Sequence, residues 1–567
     1  MAKFVLYSDE DLQRQHRELF EKSIDFPIEP VLPPKVTAAE FEWAIKEWRK
    51  NLGVANVITG SSLFNFIDPF EMMEIDKKSI PSAAICPGSV EELREALKVA
   101  NQKAIPLWTC SRGKNLGYGG PAPRMRGSVV LSLHRMNKII EVNEKYAYAV
   151  VEPGVTFFDL YNHCRSNNLK LWPSVPSLGW GSVLGNTVDR GFGYTPLGDH
   201  HQHMCGLEVM FANGDLLRTG QYAISHGKTA HLCKYSFGPS TEGLFLQSNL
   251  GIVTKLGLWL YPQPQTFISC TVDMDDPEDI EAIVDVLGEL RRRDILQNNP
   301  VIRNIIAWSS MQGRREDVWD GEGPIPQSIL KKLQKKMDLG YWMVRFGLYG
   351  PKDVVEKRLD VVKSVMSQQA PTARLRSYLF EGDDGGLVDA TKIPTPLGGG
   401  QVGVPDMWTL PAVQYRCPKA AGLGAHTDFS PILPASGKVV LEWFLVAKKI
   451  IEAEGFDAYC GGHLHARHMV LINMILFDKS NANQRAAVQT IFQNLVRESK
   501  KRGFSKYRSH INDMDAVADM YDFNNHAYRR FIEGLKDSLD PNGILSPGKQ
   551  GIWPKRYRVE QQTKLKL

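Results

Sequence analysis

Two glycine-rich segments carry the residue types that a phosphate-bearing ligand requires. The first is SRGKNLGYGG over residues 111–120, and the second is PSLGWGSVLGN over residues 176–186, which continues as RGFGY over residues 190–194. Glycine has no Cβ and tolerates positive φ, so it lets backbone N–H groups approach a diphosphate closely. One such segment is usually a plain turn. Two long ones in the same half of the chain favour a large phosphate-bearing ligand.

The familiar nucleotide and metal motifs do not fit this sequence. Neither glycine-rich segment reads Gly-x-Gly-x-x-Gly between a strand and a helix, which disfavours a Rossmann site, and neither has the Gly-Lys-Ser/Thr register of a P-loop. Histidines cluster at residues 200–203 and 463–468, but no Cys or carboxylate set with zinc spacing accompanies them. We therefore predict structural or pocket histidines and no metal site.

The segments that must position these loops alternate between strand-like and helix-like patterns. Ser89 followed by Glu92 predicts a capping box and a helix with one apolar face. Strands are predicted at IPLWT, SVVLSL, KIIEV, YAYAVVE and GIVTKLGLWLYP, and helices at DPEDIEAIVDVLGELRRR and KVVLEWFLVAKKIIEAEG. Residues 1–35 predict a helical extension with a Pro-rich connector, and residues 381–424 predict loops. The fold class predicted is α+β.

Length, charge and cysteine usage exclude several classes of protein. A chain of 567 residues predicts two or three domains. A net charge of +5 without a run of Lys and Arg does not indicate nucleic-acid binding, and no apolar stretch suits a membrane span. Eight scattered cysteines and a polar start predict an intracellular protein. The last residues, 565–567, end in Lys-Leu like a peroxisomal address but depart from it at Leu565, so cytoplasm and peroxisome both stay open.

In their order and spacing, the motifs resemble the vanillyl-alcohol oxidase and p-cresol methylhydroxylase family of flavoproteins, with the fungal vanillyl-alcohol oxidase branch the most similar. The resemblance covers nearly the whole chain after residue 80. It rests on KNLGYGGPAPRMRGSVVL, VEPGVTFFDLY, VPSLGWGSVLGNTVDRGFGYTPLGDH, FANGDLLRTG, SNLGIVTKLGLW, GAHTDFSPI, KYRSH and DPNGILSPGK. It implies a two-lobed FAD-binding domain at residues 1–266 and 504–567, and an α+β cap domain at 267–503. The active site would lie between the cap and the flavin.

The resemblance implies FAD-dependent oxidation of para-substituted phenols. It places Tyr118, Tyr507 and Arg508 around the substrate's phenolic oxygen. A free phenol has a pKa of about 10, and a nearby guanidinium with two hydroxyl donors lowers it. Hydride loss from the para side chain to FAD would then leave a quinone methide, with O2 reduced to hydrogen peroxide. Phe192 and Tyr194 are expected in the substrate pocket.

The resemblance also assigns residues to the cofactor. His426, in the segment GAHTDF, resembles the histidine that family members bond to the 8α-methyl carbon of the flavin. The other residues expected to contact FAD are Asn115, Gly119, Gly120, Ser182, Asn186, Gly193, Ile252 and Lys549. Because relatives form dimers and octamers, a homo-oligomer is expected by analogy.

Two positions depart from the family pattern. Ser177 stands where vanillyl-alcohol oxidase has an active-site aspartate, and a serine is not a general base at neutral pH without help. Asp428 lies two residues after His426, on the same face of an extended segment, and is one hypothesis for the missing base. A structural carboxylate is the alternative. Phe70 lies near the position of a histidine that activates the linking histidine in the oxidase, so noncovalent FAD also stays open.

Three functions remain open on the sequence alone. The first is an oxidase that uses O2, and the second is a dehydrogenase or hydroxylase that passes electrons to a cytochrome. The third is a catalytically impaired flavin-binding protein, which Ser177 and Phe70 favour. The complete set of Tyr118, Tyr507 and Arg508 argues against the third.

Overall fold

Helices and sheets alternate along the chain in the computed structural model, which confirms the α+β class. The structure describes residues 28–73, 78–394, 399–419 and 422–558. Most of the predicted N-terminal extension and the C-terminal Lys-Leu lie outside these ranges. Within them, no helix has both the length and the apolarity that a membrane crossing needs.

A four-stranded sheet carries the first glycine-rich segment. Its strands are β1 (Val57–Ile58), β2 (Ala84–Ile85), β3 (Leu107–Cys110) and β4 (Val129–Ser132), in the order β1-β2-β4-β3. Strands β2 and β3 both run parallel to β4. The segment 111–120 follows β3 directly, so it leaves the sheet at the carboxyl ends of parallel strands, where open α/β sheets bind their ligands.

The helix Val90–Gln102 packs on this sheet through the apolar face that the sequence predicts. Its predicted capping box is only half formed. The Ser89 hydroxyl accepts a hydrogen bond from the Glu92 N–H at 3.1 Å, but the Glu92 carboxylate accepts from the Gly88 N–H at 2.8 Å, one residue before the expected donor. An ion pair of 3.0 Å with Arg135 holds the Glu92 carboxylate in this position.

A five-stranded antiparallel sheet follows. Its strands are β5 (Ile139–Asn143), β6 (Tyr148–Val151), β8 (Met204–Met210), β9 (Leu216–Arg218) and β10 (Ile252–Trp259), in the order β5-β6-β10-β8-β9. The short strands β7 (Leu171–Trp172) and β11 (Tyr261–Pro262) pair beside it. The helices of this half are Ala38–Leu52, Val90–Gln102, Phe157–Ser166, Val183–Val188 and His200–His203. Helix Phe157–Ser166 buries its apolar face in the core of this sheet.

An eight-stranded antiparallel sheet fills the middle of the chain. Its strands are β12 (Thr266–Met274), β13 (Val301–Asn304), β14 (Trp342–Gly350), β15 (Arg374–Glu381), β16 (Gly424–Phe429), β17 (Ile432–Pro434), β18 (Gly461–Leu464) and β19 (His468–Asp478). The order is β15-β12-β14-β13-β18-β19-β16, with β17 paired to β19. Its helices are Ile280–Arg292, Ile305–Ser310, Gln327–Met337, Lys352–Gln369, Gly437–Ala453 and Ala482–Lys501. Residues 383–394 and 399–414 contain only short 3-10 turns, as the loop prediction for this region expects.

The end of the chain returns to the first sheet. After the helices Met514–Ala518 and Phe523–Leu539, the Leu107 N–H donates to the Ile544 carbonyl at 2.7 Å. The fully buried Lys536 fixes this return, because its ammonium pairs with Asp540 at 2.8 Å and donates to the Leu545 carbonyl at 2.7 Å. Residues from both chain ends therefore reach the same place, while the exact domain boundaries at 266 and 503 stay a prediction.

Candidate active site

The two glycine-rich segments and the C-terminal return enclose a cavity of about 200 Å³, here named the cradle. Six of the residues predicted to contact a cofactor line it, namely Asn115, Gly120, Ser182, Asn186, Ile252 and Lys549. The lining of the cradle includes four cations, Arg112, Lys114, Arg508 and Lys549. Burial, reinforced by the Arg112 charge, lowers the pKa of Lys114 to about 7, and a bound anion would reverse that effect. The cradle therefore suits a diphosphate.

Two glycines that were predicted as cofactor contacts do not line the cradle. A Cβ on Gly119 would lie 2.7 Å from the Ile511 side chain, and one on Gly193 would lie 2.3 Å from the Ser174 hydroxyl. Both positions are therefore small because neighbouring protein atoms approach them. The Ser182 hydroxyl lines the cradle but is already engaged, since it donates to the Pro153 carbonyl at 2.6 Å and accepts from the Gly185 N–H at 2.9 Å.

His426 lies where the first glycine-rich segment meets strand β16. Gly117 has a φ of +77°, and a Cβ there would come within 2.3 Å of the His426 ring. The Nδ1 atom of His426 is buried and has no hydrogen-bond partner among the described residues. Burial lowers the pKa of His426 to about 4, so the ring is neutral at pH 7. A neutral ring with an unpaired nitrogen retains the lone pair that a nucleophile needs.

A second cavity of about 270 Å³ adjoins the cradle and is here named the ring-lined cavity. Lys114, Asn115, Tyr118, Asn186 and Arg508 line both cavities, so the two spaces meet along these residues. Aromatic and imidazole rings that line the second cavity come from Tyr118, Phe192, Tyr194, His426, Tyr459, His463 and Tyr507. The space suits a small aromatic molecule.

Tyr118, Tyr507 and Arg508 come together at one end of the ring-lined cavity, as predicted. The two phenolic oxygens are 3.2 Å apart, and the Arg508 guanidinium carbon lies 5.5 Å from the centroid of each ring. The Arg508 side chain is only 10% exposed. Its Nε donates to the Asp189 carbonyl at 2.6 Å and lies 3.4 Å from the Asp189 carboxylate.

The electrostatics of this group keep one charge fixed and two hydroxyls neutral. Burial raises the pKa of Tyr118 and of Tyr507, so both keep their protons as hydrogen-bond donors. Burial works against the charge of Arg508, but Asp189 and the two tyrosines outweigh it and raise the pKa of the guanidinium. The group therefore presents a positive charge and two O–H donors to any anion placed beside it.

Comparisons with known proteins identify the family of the chain. A family model for the FAD-binding domain matches residues 81–220, and one for the C-terminal domain of FAD-linked oxidases matches residues 426–550. The chain is 34% identical to the 4-cresol dehydrogenase [hydroxylating] flavoprotein subunit of Pseudomonas putida, over 92% of this chain and 98% of that protein. The chain belongs to the vanillyl-alcohol oxidase and p-cresol methylhydroxylase family.

Solved structures support the same assignment. A 4-ethylphenol oxidase from Gulosibacter chungangensis, in complex with isoeugenol, matches with a TM-score of 0.87 at 35% identity, covering 93% of this chain and all of that chain. A p-cresol methylhydroxylase with substrate bound matches with a TM-score of 0.85 at 33% identity, covering 92% and 99%. Membership of this family makes FAD the cofactor and the chain an oxidoreductase. The cradle with its four cations and the unpaired His426 fit that cofactor.

Ser177 and Asp428 are the two remaining residues that were predicted to be catalytic, although neither matches the family pattern. Ser177 lines the ring-lined cavity, and its hydroxyl is hydrogen-bonded to the hydroxyl of Tyr194. Asp428 lies on β16 behind the cavity wall and is not among the lining residues. Its carboxylate accepts a hydrogen bond from the Ser430 hydroxyl, while its Oδ1 atom has no partner among the described residues. The charge of Asp428 nonetheless acts on both Tyr118 and Tyr507.

The sequence analysis did not name several residues at or beside the ring-lined cavity. Asp189, which holds Arg508, follows the glycine-rich segment 176–186 and could have been found as its nearest carboxylate. His463 belongs to a histidine cluster that was set aside as a metal candidate, and its ring stands 5.0 Å from that of Phe192 and 5.6 Å from that of Tyr194. Arg303 lines the ring-lined cavity from β13, and no sequence signal marked it.

Proposed function

We propose that this protein oxidises para-substituted phenols by hydride transfer from the side-chain carbon to FAD, through a quinone methide, with O2 reduced to hydrogen peroxide. The observation that carries the proposal is the group at one end of the ring-lined cavity. There the hydroxyls of Tyr118 and Tyr507 lie 3.2 Å apart, beside the buried guanidinium of Arg508. Tyr118 and Arg508 also line the FAD cradle, so this end of the cavity adjoins the cofactor space.

The anchoring group would bind the phenol as its anion. A guanidinium and two O–H donors stabilise a phenolate far more than a neutral phenol, because the charged acceptor makes stronger hydrogen bonds. The Arg508 charge is held in place by the Asp189 carbonyl and carboxylate, so little reorganisation is needed when the substrate binds. FAD, when bound, supplies the hydride acceptor. Phe192 stacks on Tyr507 at 5.2 Å and would confine the substrate ring beside the anchors.

The second half of the reaction needs a group that accepts or relays a proton. Asp428 is our candidate, because its charge acts on Tyr118 and Tyr507 from behind the cavity wall and its Oδ1 has no described partner. Ser177 and Tyr194 would relay a proton to or from water at the cavity surface through their hydroxyl pair. Water addition to the quinone methide, or loss of a second proton from the side chain, would complete the product.

His426 is our candidate for a covalent bond to the flavin. The close approach of Gly117 positions the ring, and burial lowers its pKa to about 4, so its nitrogen is available as a nucleophile. Acid precipitation of the purified protein is expected to leave yellow colour in the pellet of the wild type. The pellet of a His426→Ala variant should be colourless, with FAD in the supernatant. Colourless wild-type pellets would leave noncovalent FAD as the binding mode.

Anaerobic mixing with 4-ethylphenol tests the reaction itself. The flavin absorbance near its visible maximum should bleach with one equivalent of the phenol. Unchanged absorbance with 4-ethylphenol, vanillyl alcohol and eugenol would favour an impaired flavin-binding protein instead. Admitting air then distinguishes the two remaining functions, because an oxidase recovers its colour quickly and releases hydrogen peroxide. Slow recovery in air with fast recovery on added cytochrome would favour a dehydrogenase, the activity named for the Pseudomonas putida relative.

A further inference from the structure

Arg303 presents a charge to the ring-lined cavity without a partner. It extends from strand β13, and its guanidinium makes no hydrogen bond or ion pair with any residue of the ranges described. The guanidinium carbon lies 5.5 Å from the ring of Trp408, which supports one face of the group. Such stacking leaves the N–H donors of an arginine available, and they match a carboxylate in a bidentate geometry.

Arg303 is set apart from the phenolate anchors along the wall of the cavity. A row of rings runs along the wall, from Tyr507 to Phe192 at 5.2 Å and from Phe192 to His463 at 5.0 Å. Arg303 stands beside His463, because β13 pairs with β18 so that Val301, two residues before Arg303 on the same face, lies opposite His463. Burial and then the Arg303 charge lower the pKa of this histidine to about 3. A phenol held at Tyr507 would therefore extend its para side chain toward Arg303.

The charges around the ring-lined cavity favour an anion at this end. Among the described lining residues, the cations are Lys114, Arg303 and Arg508, and no Asp or Glu lines the cavity. Lys114 also lines the cradle, and Arg508 has the Asp189 carboxylate at 3.4 Å. Asp406 lies near Arg303 without forming an ion pair, and burial raises the pKa of its carboxyl to about 6. Arg303 thus has no directly bonded carboxylate among the described residues, and Asp406 is shared with the charge of the buried Arg345.

We infer that the substrate carries a carboxylate on its para side chain and that Arg303 binds this carboxylate. The inference rests on the proposed function, because it takes the other end of the molecule to be a phenolate held at Arg508. His463 and Tyr194, whose rings are stacked at 5.6 Å, stand beside Arg303 and offer further polar atoms to the carboxylate. A cavity of about 270 Å³ limits the substrate to one ring and a short acidic chain.

A matched pair of substrates tests the inference in the holoenzyme. 3-(4-Hydroxyphenyl)propanoate and its primary amide have nearly the same shape and differ in charge. The wild type should oxidise the acid with a kcat/KM at least about tenfold higher than the amide, since a charged hydrogen-bonded pair is worth more than a neutral one. Arg303→Gln should lower the acid-to-amide ratio by about tenfold or more, and Arg303→Lys by less. Arg293→Gln, at an exposed arginine paired with Glu289, should keep the wild-type ratio.

The outcomes separate this inference from the proposed function. If 4-ethylphenol bleaches the flavin but the wild type treats acid and amide alike, the carboxylate assignment is wrong and phenol oxidation stands. An acid-to-amide ratio that is unchanged in Arg303→Gln would also show that the carboxylate assignment is wrong while phenol oxidation stands. If neither phenol reacts, the proposed function fails, and binding of 4-hydroxybenzoate against 4-hydroxybenzamide still tests Arg303 without turnover. Equal dissociation constants for these two compounds would overturn the inference in that case.

Discussion

The cradle and the ring-lined cavity lie side by side but are built in different ways. The cradle is formed by a few continuous stretches of chain, at residues 108–120, 181–189 and 245–253, and by the chain end over residues 508–514 and 545–550. The ring-lined cavity takes its walls from side chains on segments far apart in sequence, such as Arg303 on β13 and Thr409 in a loop. A cofactor shared by a whole family can be held by local backbone geometry. Selection of one substrate depends on side chains that the fold brings together.

The two cavities also differ in how their cations are grouped and paired. In the cradle, Arg112, Lys114 and Lys549 lie together and suit the several charges of a diphosphate. In the ring-lined cavity, Arg508 is fixed by Asp189 at one end and Arg303 has no such partner at the other. The comparison predicts that changes at residues that bind the phenol alter catalysis, while changes at residues that hold FAD, His426 among them, alter FAD retention and stability.

The largest effect is expected for Arg508→Leu. Loss of the fixed positive charge leaves the bound phenol neutral, so the rate of flavin bleaching by 4-ethylphenol should fall by about 100- to 1,000-fold. Stopped-flow absorbance under anaerobic conditions measures that rate. FAD content is measured in the same sample, because Arg508 also lines the cradle. Arg497→Leu serves as the control at a surface arginine bonded to Asn494. A near-normal bleaching rate in Arg508→Leu would contradict the anchoring role.

Asp428→Asn should have the next largest effect. The substitution keeps the shape of the side chain but removes the proton acceptor, so steady-state turnover should fall by about 10- to 100-fold. Turnover and thermal stability are measured together, because Ser430 donates a hydrogen bond to the same carboxylate. A variant with lowered melting temperature and unchanged turnover would make Asp428 a structural carboxylate.

A pair of glycine substitutions tests the contact between the first glycine-rich segment and His426, the candidate flavin ligand. Gly117 and Gly503 have similar positive φ values of +77° and +73°, but only Gly117 faces another group within 4 Å, the ring of His426. Gly503→Ala should cost about 1 kcal/mol of unfolding free energy from backbone strain alone. Gly117→Ala should cost about 2 kcal/mol or more and should also lower FAD retention. Equal effects in the two variants would show that the contact with His426 is unimportant.

The smallest expected effect is the pH dependence of the melting temperature. Burial lowers the pKa of His200, His463 and His465 to about 3. The unfolded chain takes up these protons near pH 6.5 and the folded chain only near pH 3, so stability is complete above pH 6.5 and is lost as the pH falls toward 3. We expect the melting temperature to drop by about 5 °C or more between pH 6.5 and 4.5.

A histidine substitution provides the control for this pH dependence. His465→Gln should make the fall of melting temperature with acid shallower, whereas His226→Gln, at an exposed position, should keep the wild-type slope. His510 acts in the opposite direction. Burial disfavours its charge, but the ion pair with Asp68 at 2.9 Å raises its pKa, so its contribution is present below pH 6.5 and is lost at higher pH. A melting temperature that is flat between pH 6.5 and 4.5 would contradict neutral buried histidines.

Strands and site residues could be predicted from the sequence where the pattern was local or matched a family motif. Alternating apolar residues located most strands, and the family motifs brought Tyr118 and Tyr507 together although they lie 389 residues apart. Glycine spacing located the cradle but did not tell which glycines face the ligand, since Gly119 packs against Ile511. Arg303 could not be predicted, because its exposure to the cavity depends on the pairing of β13 with β14 and β18.

The phenolic pKa of a bound phenol that cannot be oxidised tests the central claim most directly. 4-Fluorophenol has no side chain to lose hydride, and its 19F chemical shift reports whether the hydroxyl is ionised. Bound to the wild-type holoenzyme, its pKa should fall from about 10 to about 8 or lower, and Arg508→Leu should return it toward 10. A bound phenol that titrates near pH 10 in the wild type would contradict the account.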